Sequence, residues 1–225
     1  LGVRPHWRRQ ALLGVAAVHA YVMWLEFPAS ANHGYLELVL CLVGALLLLD
    51  DAEQRRVFLR ATRWLAIVVL FYSGLSKLVH GYYFHGEMLA YQLKLEPYRA
   101  VLGPLLPATE LARLAAFTGA VGDGPYRVTS AFFVAVSNGI YVVEMALALL
   151  LCLRPTRSLA MVAAIALFVA IEAGAREVFF GLVFVNMLLL FARRDLHRAA
   201  VGPTVAVLAV LVAARLGAFG EVIFR

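Results

Sequence analysis

This chain is short of charge. Only 15% of its residues are Asp, Glu, Lys or Arg, where a soluble domain carries roughly a quarter. Cysteine is scarcer still: Cys41 and Cys152 lie far apart, each inside an apolar run. There is no CxxC and no other metal-ligand spacing, so no metal site is expected and both cysteines read as small buried apolar residues. A nucleotide-binding glycine loop and a Ser or Cys catalytic constellation are equally missing. The net charge of +6 and the pI near 9.6 would point to nucleic acid in a soluble domain. Here the basic residues stand in short loops beside apolar runs, where they set membrane topology, so no nucleic-acid partner is expected.

What the chain does have is apolar length. Hydrophobic residues make up 63% of it and the mean hydropathy is +0.84. The excess gathers in seven segments, at residues 11–27, 34–50, 64–83, 129–153, 158–174, 177–192 and 203–219. A helix that crosses a bilayer needs roughly 20 such residues. The composition therefore predicts an all-α, polytopic bundle of about seven transmembrane spans, forming one integral membrane domain over residues 1–225. The fifth and sixth segments are short and separated only by residues 174–177. They form either a tight helical hairpin or one broken helix, which would make six spans.

The arginines orient the bundle. Arg4, Arg8 and Arg9 precede the first segment, and Arg55, Arg56, Arg60 and Arg63 follow the second. Arg154 and Arg157 follow the fourth, and Arg193, Arg194 and Arg198 follow the sixth. With seven crossings all four clusters fall on one side, which places the N-terminus in the cytoplasm and the C-terminus outside. Residues 1–10 are basic and short and do not read as a signal peptide, so the first span is expected to act as an uncleaved anchor. A multi-pass protein of the bacterial cytoplasmic membrane is the expectation, with the lipid bilayer as its first partner.

Residues 86–128 break the pattern. Pro97, Pro104, Pro107 and Pro125 interrupt a mixture of charges with Leu93, Tyr98, Leu102 and Leu106. A proline-broken amphipathic stretch of this kind is expected to lie in the outer interface and cap the bundle. Residues 119–124, GAVGDG, read as a turn leading into the fourth span.

Within the spans, charge stands out. Lys77 lies in the third and Glu144 in the fourth, while Glu172 ends the fifth with Arg176 one turn on. His80 follows Lys77 at i+3 on nearly the same helical face. An ammonium in hydrocarbon costs several kcal/mol unless it is paired, solvated or deprotonated. Two compatible readings follow. In one, Lys77 forms a buried ion pair with Glu144 or Glu172 and pins helix register. In the other it lines an outward-facing cavity and acts as a base, because a desolvated amine that gives up its proton can take another. His80 is an interfacial anchor or a second proton carrier, and His19 is expected to be satisfied within the bundle. Tyr72, Tyr83 and Phe84 suit an outer aromatic belt, and also suit the walls of a slot for a flat ring.

Residues 71–78, FYSGLSKL, followed by YFHGEML at 83–89, resemble the signature of the HTTM family, the membrane part of vitamin K-dependent γ-carboxylase and its bacterial relatives. VEMALALLLCLRPTR at 143–157 and FFGLVFVNMLLLF at 179–191 resemble two further segments of that family, in the expected order. The resemblance covers about half of the chain. It implies a quinone or quinol, or another bound lipid, as cofactor, and gives Lys77 the place of the lysine that deprotonates the vitamin K hydroquinone. The pattern differs at two points. Tyr83 or Phe84 stands where the family has tryptophan, and the family's histidine has no counterpart near residues 168–172. The carboxylase's large extracytoplasmic domain has none in these residues either, so full glutamate carboxylation is not expected.

Three functions follow. The first is an HTTM-like protein that binds a quinol-type or other lipidic ligand beside Lys77, with proton-coupled redox chemistry. The second is a non-catalytic transmembrane subunit packed among other subunits of an electron-transfer or photosynthetic complex. The third is a DoxX-like quinone-linked subunit, against which the absence of an outward-facing cysteine pair counts.

Overall fold

The protein is described here by a computed structural model, which covers residues 5–25, 32–47, 51–94, 96–119, 125–175 and 178–192. All regular structure among the described residues is helical. The helices are α1 (Pro5–Leu25), α2 (Asn32–Leu46), α3 (Ala52–His80), α4 (Glu87–Gln92), α5 (Glu96–Leu102), α6 (Ala108–Ala116), α7 (Ala131–Cys152), α8 (Arg157–Ala175) and α9 (Val178–Leu189), with a 3₁₀ turn at Gly103–Leu105. Two of them, α3 and α7, are long and apolar enough to cross a membrane.

Local chemistry fixes the ends of these two helices. Asp51 Oδ1 accepts the backbone N–H groups of Glu53 and Gln54 at 2.8 Å each, satisfying donors that the first turn of α3 leaves open. Ser130 Oγ does the same for Phe133 N at the start of α7. The last carbonyls of α7 are taken up from beyond the helix. Thr156 Oγ1 donates to Leu150 O at 2.9 Å, and the Arg157 guanidinium donates to Leu151 O and Cys152 O at 3.0 and 3.2 Å.

Several boundaries differ from the expected segments. The sequence pattern begins the third span at residue 64, but α3 starts at Ala52 and carries Arg55, Arg56, Arg60 and Arg63 on its own first turns. Residues 52–63 are rich in good helix formers and capped by Asp51, so they extend the helix without adding apolar signal. At its other end α3 stops at His80 and not at residue 83, because Gly81 adopts φ 70° while its N–H bonds Lys77 O at 3.1 Å. A glycine in this left-handed conformation is the usual helix stop. Helices α2 and α9 have 15 and 12 residues, roughly 22 and 18 Å, less than the roughly 30 Å of bilayer hydrocarbon. The expected seventh segment, residues 120–124 of the turn, and Arg176 with Glu177 lie outside the described residues.

The chain falls into two compact units, Leu1–Ala66 and Ile67–Arg225. In the first, α1 packs on α2, and His19 Nε2 lies 2.9 Å from Gly34 O and 3.6 Å from Glu37. A shallow groove lined by Ala11, Gly14, Val15, Val18, His19 and Val22 runs along α1.

In the second unit α8 packs on α7, α9 and α5. The Phe168 ring stacks on Phe184 with centroids 4.3 Å apart and also meets Phe180 at 6.1 Å. Contacts spaced in this way on either side of residues 176–177 mean that α8 and α9 double back as a hairpin and are not one broken helix. Residues 86–128 form more than a surface-lying amphipathic stretch. Leu89, Leu93, Leu106, Leu114 and Val128 enclose a small core together with Phe133 of α7. Buried Glu110 ties that core to the chain entering α7: its carboxylate accepts Thr129 N at 3.0 Å, the Thr129 hydroxyl and the Tyr126 hydroxyl, and it pairs with Arg113 at 3.0 Å.

Candidate functional site

The end of α3 within the second unit carries Ser73 and Lys77 one turn apart, so their side chains share a face. Gly74 lets that face approach α7. A Cβ at this position would stand 2.7 Å from the Tyr141 carbonyl oxygen and 2.8 Å from Met145 Cγ, which is closer than a side chain tolerates. The absence of a side chain at residue 74 thus brings the two helices together, as small residues do at close helix crossings.

At the crossing Lys77 meets Glu144. The ammonium lies 2.8 and 2.7 Å from the two carboxylate oxygens and 2.6 Å from Ser73 Oγ, to which it donates. Ser73 and Glu144 thus share the one ammonium. Glu144 is 4% exposed and Lys77 20%, so anything reaching the pair meets the lysine side. The Tyr83 ring covers that side, with its centroid 5.8 Å from Lys77 Nζ, within the range of a cation–π contact.

The turn that carries Tyr83 is fastened to α7. The Tyr83 carbonyl accepts Gly86 N at 3.1 Å, Ser137 Oγ at 2.9 Å and Asn138 Nδ2 at 3.3 Å. Asn138 Nδ2 also donates to Phe84 O and Val134 O, and Asn138 Oδ1 accepts the Tyr141 hydroxyl at 2.8 Å. Phe84 lies beside Tyr141 with ring centroids 6.2 Å apart.

The structure therefore brings Lys77, Glu144, Tyr83 and Phe84 to one end of the α3–α7 pair. Other candidates lie elsewhere. His80 is exposed and stacks on Tyr82 at 5.6 Å. Tyr72 is exposed on α3, five residues before Lys77 and so roughly 140° around the helix. The side chain of Glu172 lies outside the described residues. No group of three potential metal ligands occurs among the described residues. Sequence reasoning missed Ser73, Ser137 and any role for Asn138. The available signal for Ser73 was its i−4 spacing from Lys77, which acquires meaning only when the partner helix is known.

Chemically, the pair holds opposite charges in apolar surroundings with a hydroxyl bound to the ammonium. Such a group can pin two helices, and it can pass a proton. No known protein family, curated protein or solved structure matches the chain.

Proposed function

We propose that this chain is an HTTM-like, multi-pass membrane protein that binds a quinol-type or other flat lipidic ligand in an outward-facing pocket beside Lys77. In this reading the seven segments each cross the membrane once, the N-terminus is cytoplasmic, and residues 86–128 cap the outer side. The observation that carries it is the Lys77–Glu144 pair, whose more exposed member, the lysine, lies under the Tyr83 ring. An aromatic wall beside an ammonium suits a ring that bears an ionisable hydroxyl. The apolar faces of α7 and α8, where Phe132, Val142, Leu149, Leu159, Val162 and Val169 are exposed, suit lipid contact.

Binding of decyl-hydroquinone to the full chain in phosphatidylcholine nanodiscs tests this. Wild type is expected to bind it. Lys77→Met/Glu144→Leu, which removes both charges together, is expected to abolish binding and any quinol oxidation. Equal binding and turnover by the two proteins would end the proposal.

The same exposed faces favour a second reading, a non-catalytic subunit packed among other membrane subunits. Mild-detergent purification from the native membrane decides between them. Co-purifying subunits support the second reading, and a stable monomer with its own quinol chemistry excludes it.

A further inference from the structure

We infer that the end of the first unit where α3 begins binds the phosphate headgroups of anionic membrane phospholipids, through arginines of α1 and α3. The inference rests on the membrane reading of α3 and is independent of any ligand at Lys77.

The α1–α2 hairpin sets the surface. His19 lies against Gly34 and Leu12 against Gly44, so the two helices run antiparallel. A Cβ at Gly44 would stand 3.4 Å from Leu12 Cδ1 and 3.6 Å from Phe58 Cε2. Gly44 therefore draws the first turns of α1 and of α3 to the same end of α2. Counted along the helix, Arg9 lies about 4.5 Å from Leu12, and Arg55, Arg56 and Arg60 lie within about 4.5 Å of Phe58. All four arginines are exposed. Their band is about as deep as one headgroup layer, roughly 5–8 Å on each side of the hydrocarbon.

Local bonding leaves side chains, and not the α3 terminus, to make the surface. Asp51 Oδ1 already accepts the N–H groups of Glu53 and Gln54. Arg56 donates through Nε to Ala52 O at 3.2 Å, which steadies it. Among the described residues neither Arg55 nor Arg60 pairs with a carboxylate. Arg157, by contrast, is spent on the last carbonyls of α7. The exposed Glu53 precedes all three α3 arginines and so stands on the side away from the apolar part of the helix.

Two features favour a lipid over a merely solvated face. Trp64 follows Arg60 at i+4 on the same face and is 56% exposed. An indole there suits the boundary between headgroups and hydrocarbon. Beyond it α3 is long and apolar enough to cross the membrane. Guanidinium forks match two oxygens of a phosphodiester. Each basic residue beside an anionic surface adds about fivefold in affinity. The ligand class is therefore a phospholipid with net negative charge, of the phosphatidylglycerol type, in preference to zwitterionic phosphatidylcholine.

The test places the full chain in phosphatidylcholine vesicles with trace spin-labelled phosphatidylglycerol or phosphatidylcholine. Electron spin resonance reads the fraction of each label held by the protein. Wild type is expected to prefer the anionic lipid about tenfold, and the preference should shrink between about 0.1 and 1 M NaCl. Arg60→Gln and Arg9→Gln should each lower it about fivefold, while Arg60→Lys keeps most of it. Arg154→Gln, beyond the end of α7, should change it less than about twofold. An equal fall with Arg154→Gln would reveal a diffuse charge effect and overturn the site. No fall with Arg9→Gln would overturn a surface shared by two helices. Release of the lipid by millimolar glycerol phosphate would make a free phosphate the ligand and overturn the lipid. A chain that does not enter the vesicles would remove the membrane reading and this inference with it. Loss of the lipid preference alone would leave the reading of Lys77 untouched.

Discussion

Removing one member of the Lys77–Glu144 pair should cost far more stability than removing both. With Lys77→Met the carboxylate stays buried without its cation, a defect worth about 3–5 kcal/mol. Lys77→Met/Glu144→Leu leaves an apolar contact instead and is expected to recover most of that loss. Thermal unfolding in detergent micelles checks this: a double variant no more stable than the single one would contradict the account of the pair. Both charges were legible in the sequence, because a lysine and a glutamate inside apolar runs have few harmless explanations. Which glutamate pairs with Lys77 was not legible, since Glu144 sits somewhat inside the middle of its segment and Glu172 at the outer end of its own, so neither matches the depth of Lys77. That choice depends on a helix crossing and therefore on Gly74. Ser73 was hidden for another reason: serine is common, and its spacing from Lys77 gains meaning only beside Glu144.

Helices succeed or fail at their contacts, and Gly74 offers the sharpest test. Alanine in a helix interior ordinarily gains about 1 kcal/mol over glycine. At residue 74 it would meet the Tyr141 carbonyl at 2.7 Å, so Gly74→Ala is expected to destabilise. At Gly139, where a Cβ has nothing within 4 Å, the same change should stabilise by about 0.5–1 kcal/mol. Chemical unfolding of the two variants side by side reads the difference in sign.

The segment at 86–128 makes a prediction about pH. Burial works against the Glu110 carboxylate, but bonds from Thr129 and Tyr126 and the Arg113 charge outweigh it and hold the carboxyl below its usual range. The stability it contributes is present at neutral pH and is lost as pH falls through that lowered value. For Tyr126, burial and the bond to Glu110 push the phenol up, so its share is lost only under strongly alkaline conditions. Hydrogen-exchange protection over residues 108–118, taken relative to the intrinsic rate at each pH, should fall at the acid end, and Glu110→Gln should already be poorly protected at neutral pH. These elements were partly legible beforehand. Apolar runs marked the helices, yet the prolines misled. Pro97 stands in the first turn of α5 and Pro107 just before α6, positions where proline starts helices. A segment read as broken is in fact a set of short helices around a core.

For the whole molecule, the expected topology gives a direct experiment. In a Cys41→Ser/Cys152→Ser background, a cysteine at exposed Tyr91 of the 86–128 segment should react in whole cells with a membrane-impermeant maleimide. One at Arg56 should react only after lysis. The reverse pattern would invert the orientation, and labelling of both in whole cells would place residues 56 and 91 on the same side. At this scale the sequence conveyed class more readily than arrangement. Low charge and long apolar runs dictate helices, and the expected orientation rests on the basic clusters alone. The lengths of α2 and α9 fall short of the segments expected for them, since hydropathy measures what a residue tolerates and not where hydrogen bonding stops.

Asn138 is followed by Gly139, the neighbour beside which an asparagine amide loses ammonia most readily when the backbone is free to bend. Inside α7 the backbone is not free, and the amide stays whole. Should the helix open for long, in storage or under heat, the nitrogen that now faces the carbonyls of Tyr83, Phe84 and Val134 would become a carboxylate oxygen with nothing to donate. The turn over Lys77 would then lose those bonds and keep the one from Ser137 Oγ to the Tyr83 carbonyl. The shelf life of the site is thus bound to the integrity of α7.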